Sequence, residues 1–212
     1  MEDKKLNEQE SLALITSMIN DTRERLARNS GRPFLIWGYT SIAVSMLEYA
    51  AITFAWNRYW VLAWWLIPII GHTLMWLFCR KKEHTPKSYI DRSVESIWIV
   101  AGATCLFAVI GNLIYGSLSM LLFSVVLLIG TGVTITGLII KNFTTAFVGC
   151  IALVLSLAFP IVHQSQLAAG ETGQHAISAN ILIFAAIFFV LLVIPGHVLN
   201  CKNRKNKRCS KR

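Results

Sequence analysis

The chain has 212 residues, of which 55% are hydrophobic and only 15% are charged, and its mean hydropathy is +0.56. Soluble domains rarely combine so much apolar with so little charged sequence, so an ordinary soluble enzyme or binding domain is excluded and a membrane protein is indicated. A net charge of +9 would suggest nucleic-acid binding in a soluble protein. Here the basic residues flank apolar segments, which favours contact with anionic lipid headgroups and no binding to nucleic acid.

Residues 1–33 are polar and are predicted to form a cytoplasmic amphipathic helix. Its apolar residues share one helical face: Leu12, Ile15, Ile19 and Leu26. Gly31 followed by Pro33 predicts that this helix stops before the first apolar segment. The face has two candidate partners. One is the inner leaflet or the protein's own bundle, which the narrow stripe and polar opposite face favour. The other is a partner helix or a second copy of the chain.

Six apolar segments follow, each close to the ~20 residues needed to cross ~30 Å of hydrocarbon. They cover 34–56, 60–78, 94–114, 118–140, 143–162 and 177–198. The predicted fold is therefore all-α: a six-transmembrane-helix bundle over 34–198, preceded by the amphipathic helix. The remaining residues, 199–212, form a basic cytoplasmic tail for which no ordered structure is expected.

The basic residues predict how the bundle is oriented. Nineteen of the 20 Lys and Arg residues lie on the side of the six segments that holds both termini, and only Arg58 lies on the other. Because cytoplasmic joints carry the Lys and Arg excess, both termini are predicted to be cytoplasmic.

The order of segments resembles a known group of proteins. The helix "ESLALITSMINDTRERL" is followed by "GRPFLIWGYTSI", which opens the first span, and then by alternating short and basic joints. This arrangement resembles small uncharacterised polytopic inner-membrane proteins of Bacteroidota. The resemblance implies a multi-pass protein of the bacterial inner membrane and implies no catalytic residue.

No motif in the sequence predicts a catalytic, cofactor-binding or metal-binding site. The phosphate-binding loop, the H-E-x-x-H metal pair and the G-x-S-x-G nucleophile turn are all missing. The five cysteines have neither metal-ligand spacing nor an oxidising compartment. We therefore expect no cofactor and no metal, and an enzyme is the least favoured function class.

Polar side chains at membrane depth are the remaining site candidates: Glu48, His72, Ser41, Ser45 and Asn112. Glu48 shares a helical face with Ser41 and Ser45, and this face is predicted to point into the bundle because a carboxylate facing lipid costs about 3 kcal/mol. His72 is predicted to lie at a similar depth and is the named partner for Glu48.

Other polar and small residues in the spans receive structural interpretations. Asn180 and His197 lie near span ends and are expected to be hydrated. Gly130, Thr134 and Gly137, within "GTGVTITG", are interpreted as a helix-packing face.

Two function classes remain. The favoured one is a non-catalytic membrane partner, namely a sensor, scaffold or regulator that acts through its N-terminal helix and basic joints. The alternative is a small permease or channel-like protein with a polar path around Glu48. It is less favoured because permeases usually carry more polar groups or paired broken helices in their spans.

Overall fold

The computed structural model describes residues 8–54, 58–79, 88–115, 118–170 and 174–209, and this part of the chain is helical, with short turns between the helices. The α-helices are α1 Glu8–Thr53, α2 Leu66–Cys79, α3 Tyr89–Tyr115, α4 Leu118–Ile139, α5 Phe143–Ser156, α6 Ala158–Ala168, α7 Gln174–Phe188 and α8 Ile194–Cys209. A 3₁₀ helix, Arg58–Trp65, precedes α2, and a π-helical turn, Phe189–Val193, joins α7 to α8. The all-α prediction is confirmed for this part of the chain.

Five helical segments in the described residues are long and apolar enough to cross a membrane, which makes the chain compatible with a multi-pass membrane protein. They are Gln9–Thr53, Tyr89–Asn112, Leu118–Ile139, Phe143–Ala168 and Ile177–Cys201. The segment predicted over 60–78 is a shorter apolar helix, Leu62–Phe78, at the lower end of the ~17–25 residues found in spans. The predicted joint at 141–142 separates α4 from α5, whereas two residues of the joint at 115–117 lie outside the described residues.

The predicted helix stop at Gly31 and Pro33 is wrong. Both residues lie inside α1, which runs unbroken from Glu8 to Thr53 over 46 residues. The amphipathic segment and the first span are therefore one helix, and the N-terminal segment does not turn away from the axis of the span.

Close packing against α8 explains why a glycine stands at position 31. A Cβ atom on Gly31 would lie 3.1 Å from the carbonyl oxygen of Gly196, and one on Gly196 would lie 2.9 Å from the side chain of Leu35. Gly38 makes a similar approach, because its Cβ would lie 2.9 Å from Val193. The glycines let two antiparallel helices approach closely, as is common in membrane proteins.

The α4–α5 hairpin packs even more tightly. A Cβ atom on Gly137 would lie 2.4 Å from the backbone nitrogen of Ala146, and one on Gly149 would lie 2.3 Å from Oγ1 of Thr134. The turn between the helices includes Lys141, whose φ of 52° is in the left-handed region. The interpretation of the Gly/Thr face as a helix-packing surface is confirmed.

Two prolines mark the irregular points in the later helices. Pro160 cannot donate a backbone hydrogen bond to the carbonyl four residues earlier, and the α5–α6 break falls at Leu157, within that turn. Pro195 removes the donor that would serve Leu191, and the π-helical turn lies at this place. Beyond it α8 continues to Cys209, so the expectation of an unstructured tail is wrong for residues 199–209.

We call the two ends of the bundle the terminal end and the distal end. The terminal end holds residue 8, the start of α3, the α4–α5 turn and the end of α8; the distal end holds the start of the 3₁₀ helix, the α3–α4 joint and the start of α7. Between them lies a core of large apolar side chains from α1, α4, α6, α7 and α8, including Phe34, Leu122, Val126, Val133, Phe159, Phe184, Phe188, Leu191 and Leu199.

Candidate functional site

Glu48 is buried in the bundle near the distal end of α1. Its side chain is 2% exposed, and its Oε1 atom has no hydrogen-bond partner. Ser41 and Ser45 are buried on the same face, as the helical spacing predicts. The hydroxyl of Ser45 donates to the backbone carbonyl of Ser41 at 2.8 Å, so Ser45 is satisfied by its own helix.

Asn180 of α7 is a second buried polar side chain near the distal end. It is 3% exposed, and its Nδ2 group donates to the hydroxyl oxygen of Ser119 on α4 at 3.0 Å. Its Oδ1 atom has no hydrogen-bond partner. The expectation that Asn180 is hydrated at a span end is therefore wrong, because its side chain lies within the bundle.

Glu48 and Asn180 lie at nearly the same depth. Gly38 packs against Leu192 in an antiparallel register, and extending that register by ten residues places Glu48 level with about residue 182 of α7. Asn180 is then roughly 3 Å nearer the distal end. About one helical turn after Asn180, Phe184 packs edge to face against Trp64 with ring centroids 5.4 Å apart.

His72 is not brought to Glu48. Its ring lies 5.2 Å from the ring of Trp37, and Trp37 is 11 residues, or about 16 Å, from Glu48 along α1. The Nδ1 atom of His72 is 2.8 Å from the carbonyl oxygen of Pro68, and the side chain is exposed on the outside of α2. Asn112 is half-buried near the distal end of α3.

The terminal end carries a second polar arrangement, which fixes α1 to the start of α3. The Arg25 guanidinium forms an ion pair with Oδ2 of Asp91. The same oxygen accepts a hydrogen bond at 3.0 Å from the backbone N–H of Ser88, which is half of a capping box at the start of α3. Asp91 therefore caps α3 and, through its ion pair with Arg25, holds α1 beside it.

Beyond this ion pair the apolar face of α1 is uncovered. Leu12 is 65% exposed and Ile15 is 54% exposed, and Met18 and Ile19 are exposed beside them. Leu26 differs, because it packs against the core of the bundle. We call Leu12, Ile15, Met18 and Ile19 the exposed stripe.

An open groove of about 370 Å³ lies between α1 and α2 at the terminal end, lined by Arg32, Leu35, Ile36 and Phe78.

His, Cys, Asp and Glu side chains do not gather in groups of three that could hold a metal ion within the part of the chain that the structure describes. No protein family, curated protein or solved structure matches this chain.

Proposed function

We propose that this chain is a multi-pass protein of the bacterial inner membrane that acts as a non-catalytic binding partner, its N-terminal helix being the part that binds another protein. In this proposal six helices cross the membrane and both termini are cytoplasmic, as the distribution of Lys and Arg favours. The basic joints and the groove beside Arg32 contact anionic lipid headgroups.

The exposed stripe is the observation that carries this proposal. Because α1 is unbroken, Leu12 lies 22 residues before Phe34, or about 33 Å along the helix axis from the start of the first span. The headgroup region of a leaflet is only about 5–8 Å thick, so a helix that continues the span holds the stripe beyond the lipid. A solvent-facing apolar stripe of this kind is typical of a helix that docks with a protein.

Photo-crosslinking in intact membranes tests the proposal. With p-benzoylphenylalanine in place of Ile15, the full-length protein should form a discrete crosslinked protein product. The same probe in place of Asn20, which is exposed on the polar side of α1, is the matched control and should give little or none. Adding Ile19→Asp to the Ile15 probe should reduce the product several-fold. Crosslinking of Ile15 to lipid alone, or equal products from both positions, would contradict the proposal.

A polar path is the second candidate function, and the buried Glu48 favours it. A carboxylate with an unpartnered oxygen among apolar helices is costly to insert, and such residues often mark ion or substrate pathways. In reconstituted vesicles a path would produce solute or ion uptake that Glu48→Gln abolishes while the protein stays folded. Equal uptake by wild type and Glu48→Gln would exclude this role.

A further inference from the structure

Two buried oxygen atoms near the distal end share the same deficit. Oε1 of Glu48 and Oδ1 of Asn180 are both acceptors, and neither has a hydrogen-bond donor. The amide nitrogen of Asn180 is already used by Ser119. A buried acceptor left without a donor costs about 1–3 kcal/mol, and more when it carries charge. Both oxygen atoms therefore lack a hydrogen-bond donor or a positive charge, and one group placed between them would supply it.

The depth of the two residues and the packing of their helices allow both side chains to reach one ligand. α1 packs along α7, and packed helices have axes about 8–10 Å apart, which a Glu and an Asn side chain together span with one bridging atom or ion. Both residues are almost fully buried, and the register of Gly38 with Leu192 places them within about 3 Å of the same depth. The Ser119 hydroxyl, held by Asn180, adds a third oxygen to this side of the bundle.

The described titratable groups around α1 do not supply the missing charge. His72 on α2 is level with Trp37, about 16 Å away. His197 on α8 contacts Tyr39 at 2.9 Å, and Asp91 on α3 pairs with Arg25, both nearer the terminal end. Tyr49 is adjacent to Glu48 on α1. The 3₁₀ helix that begins at Arg58 packs against α1.

We propose that Glu48, Asn180 and Ser119 form a binding site for one small monovalent cation, either a proton or an alkali-metal ion. A single carboxylate carries one negative charge, so one positive charge neutralises it. Carboxylate, amide and hydroxyl oxygens are hard ligands, which suit a proton or an alkali-metal ion and not a soft metal. This site is independent of the exposed stripe at the other end of α1, and it operates whether or not the N-terminal helix binds a partner.

Thermal unfolding of the purified full-length protein in nanodiscs tests the site. The protein is measured in choline chloride and in the chlorides of lithium, sodium and potassium, each from pH 5 to pH 9. Binding to the folded state alone raises the midpoint, and a shift of about 3–6 °C is expected for each tenfold increase in cation concentration above the Kd. Glu48→Gln removes the charge and provides an N–H donor for Asn180, so it should unfold at or above the wild-type temperature in choline and lose the dependence on cations. Glu24→Gln, an exposed change on the same helix, should keep the wild-type response.

The series of salts and the series of pH values distinguish an alkali-metal ion from a proton. A wild-type midpoint that rises with one alkali-metal ion over choline identifies that ion. A midpoint that falls as the pH rises, with no difference among the salts, identifies the proton. Asn180→Leu should weaken either response. The proposal is overturned if the wild type responds to neither cation nor pH, if Glu48→Gln responds as the wild type does, or if a response appears only in Arg58→Gln, which would identify Arg58 as the counter-charge.

Discussion

At the scale of single residues, the contact between Gly137 and Ala146 leaves no room for one methyl group. The Cβ atom of an alanine at position 137 would lie 2.4 Å from the nitrogen of Ala146 and 2.8 Å from its Cα. Both neighbours are backbone atoms, which cannot move aside as a flexible side chain can.

We therefore expect Gly137→Ala to lower the free energy of unfolding by more than the 1–3 kcal/mol usual for overpacking, because α4 and α5 must separate. Gly102→Ala is the matched control, since a Cβ there meets nothing within 4 Å. It should leave stability unchanged or raise it by up to about 1 kcal/mol, because alanine has the higher helix propensity. Unfolding in a graded series of denaturing detergent compares the two variants, and equal stabilities would contradict the packing described.

Local periodicity predicts some of these residues and not others. The burial of Glu48 follows from its position on the face of Ser41 and Ser45, which is a property of one helix. The hydrogen bond between Asn180 and Ser119 joins residues 61 positions apart. The residue pattern of α4 or of α7 does not predict that these two helices become neighbours. The predicted pairing of Glu48 with His72 is wrong for the same reason, because the depth of His72 is set by its contact with Trp37 on another helix.

At the scale of helices, the continuity of α1 depends on its packing against other helices. Its Pro33 removes one backbone hydrogen bond, a change that commonly kinks or breaks a helix. The contacts of Gly31 with α8 and of Gly38 with the π-helical turn hold the segments on both sides of Pro33 in line, and the Arg25–Asp91 ion pair secures the helix further toward residue 8. A stop signal in the sequence is overruled here by packing that becomes available only in the folded bundle.

This arrangement predicts that Arg25→Gln loosens the N-terminal part of α1. Partly exposed ion pairs contribute up to about 1 kcal/mol, so amide hydrogen exchange over residues 10–25 should rise several-fold while exchange in α4 and α5 stays unchanged. Arg92→Gln removes an exposed charge from the next residue of α3 and serves as the control. Asp91→Asn should resemble Arg25→Gln. Unchanged exchange in both variants would show that the ion pair does not secure α1.

At the scale of the whole molecule, the proposed topology places Cys201 and the α6–α7 turn on opposite sides of the membrane. α8 carries Cys201 at the terminal end, while Ala169 is exposed at the distal end. The number of crossings between them decides which side each occupies.

A membrane-impermeant maleimide applied to intact spheroplasts should leave Cys201 and Cys209 unlabelled and should label a cysteine introduced as Ala169→Cys. Labelling of both native cysteines after the membrane is permeabilised is the control for their reactivity. Strong labelling of the native pair in intact cells would reverse the orientation. Labelling of all three positions in intact cells would place Ala169 on the same side as the native cysteines. The predicted odd number of crossings between them would then be wrong.

The unbroken α1 also has a mechanical consequence. In the proposed topology, α1 is fixed in the bilayer over one half of its length and projects over the other half, so it behaves as a lever that pivots where Gly31 packs against α8. A tilt of about 5° in the first span would displace Leu12 sideways by about 2.5 Å, because Leu12 lies about 29 Å from Gly31 along the helix. A rotation of the span about its axis would turn the exposed stripe through the same angle. Changes in bilayer thickness alter helix tilt, so such changes would move the stripe by distances comparable with a side-chain contact.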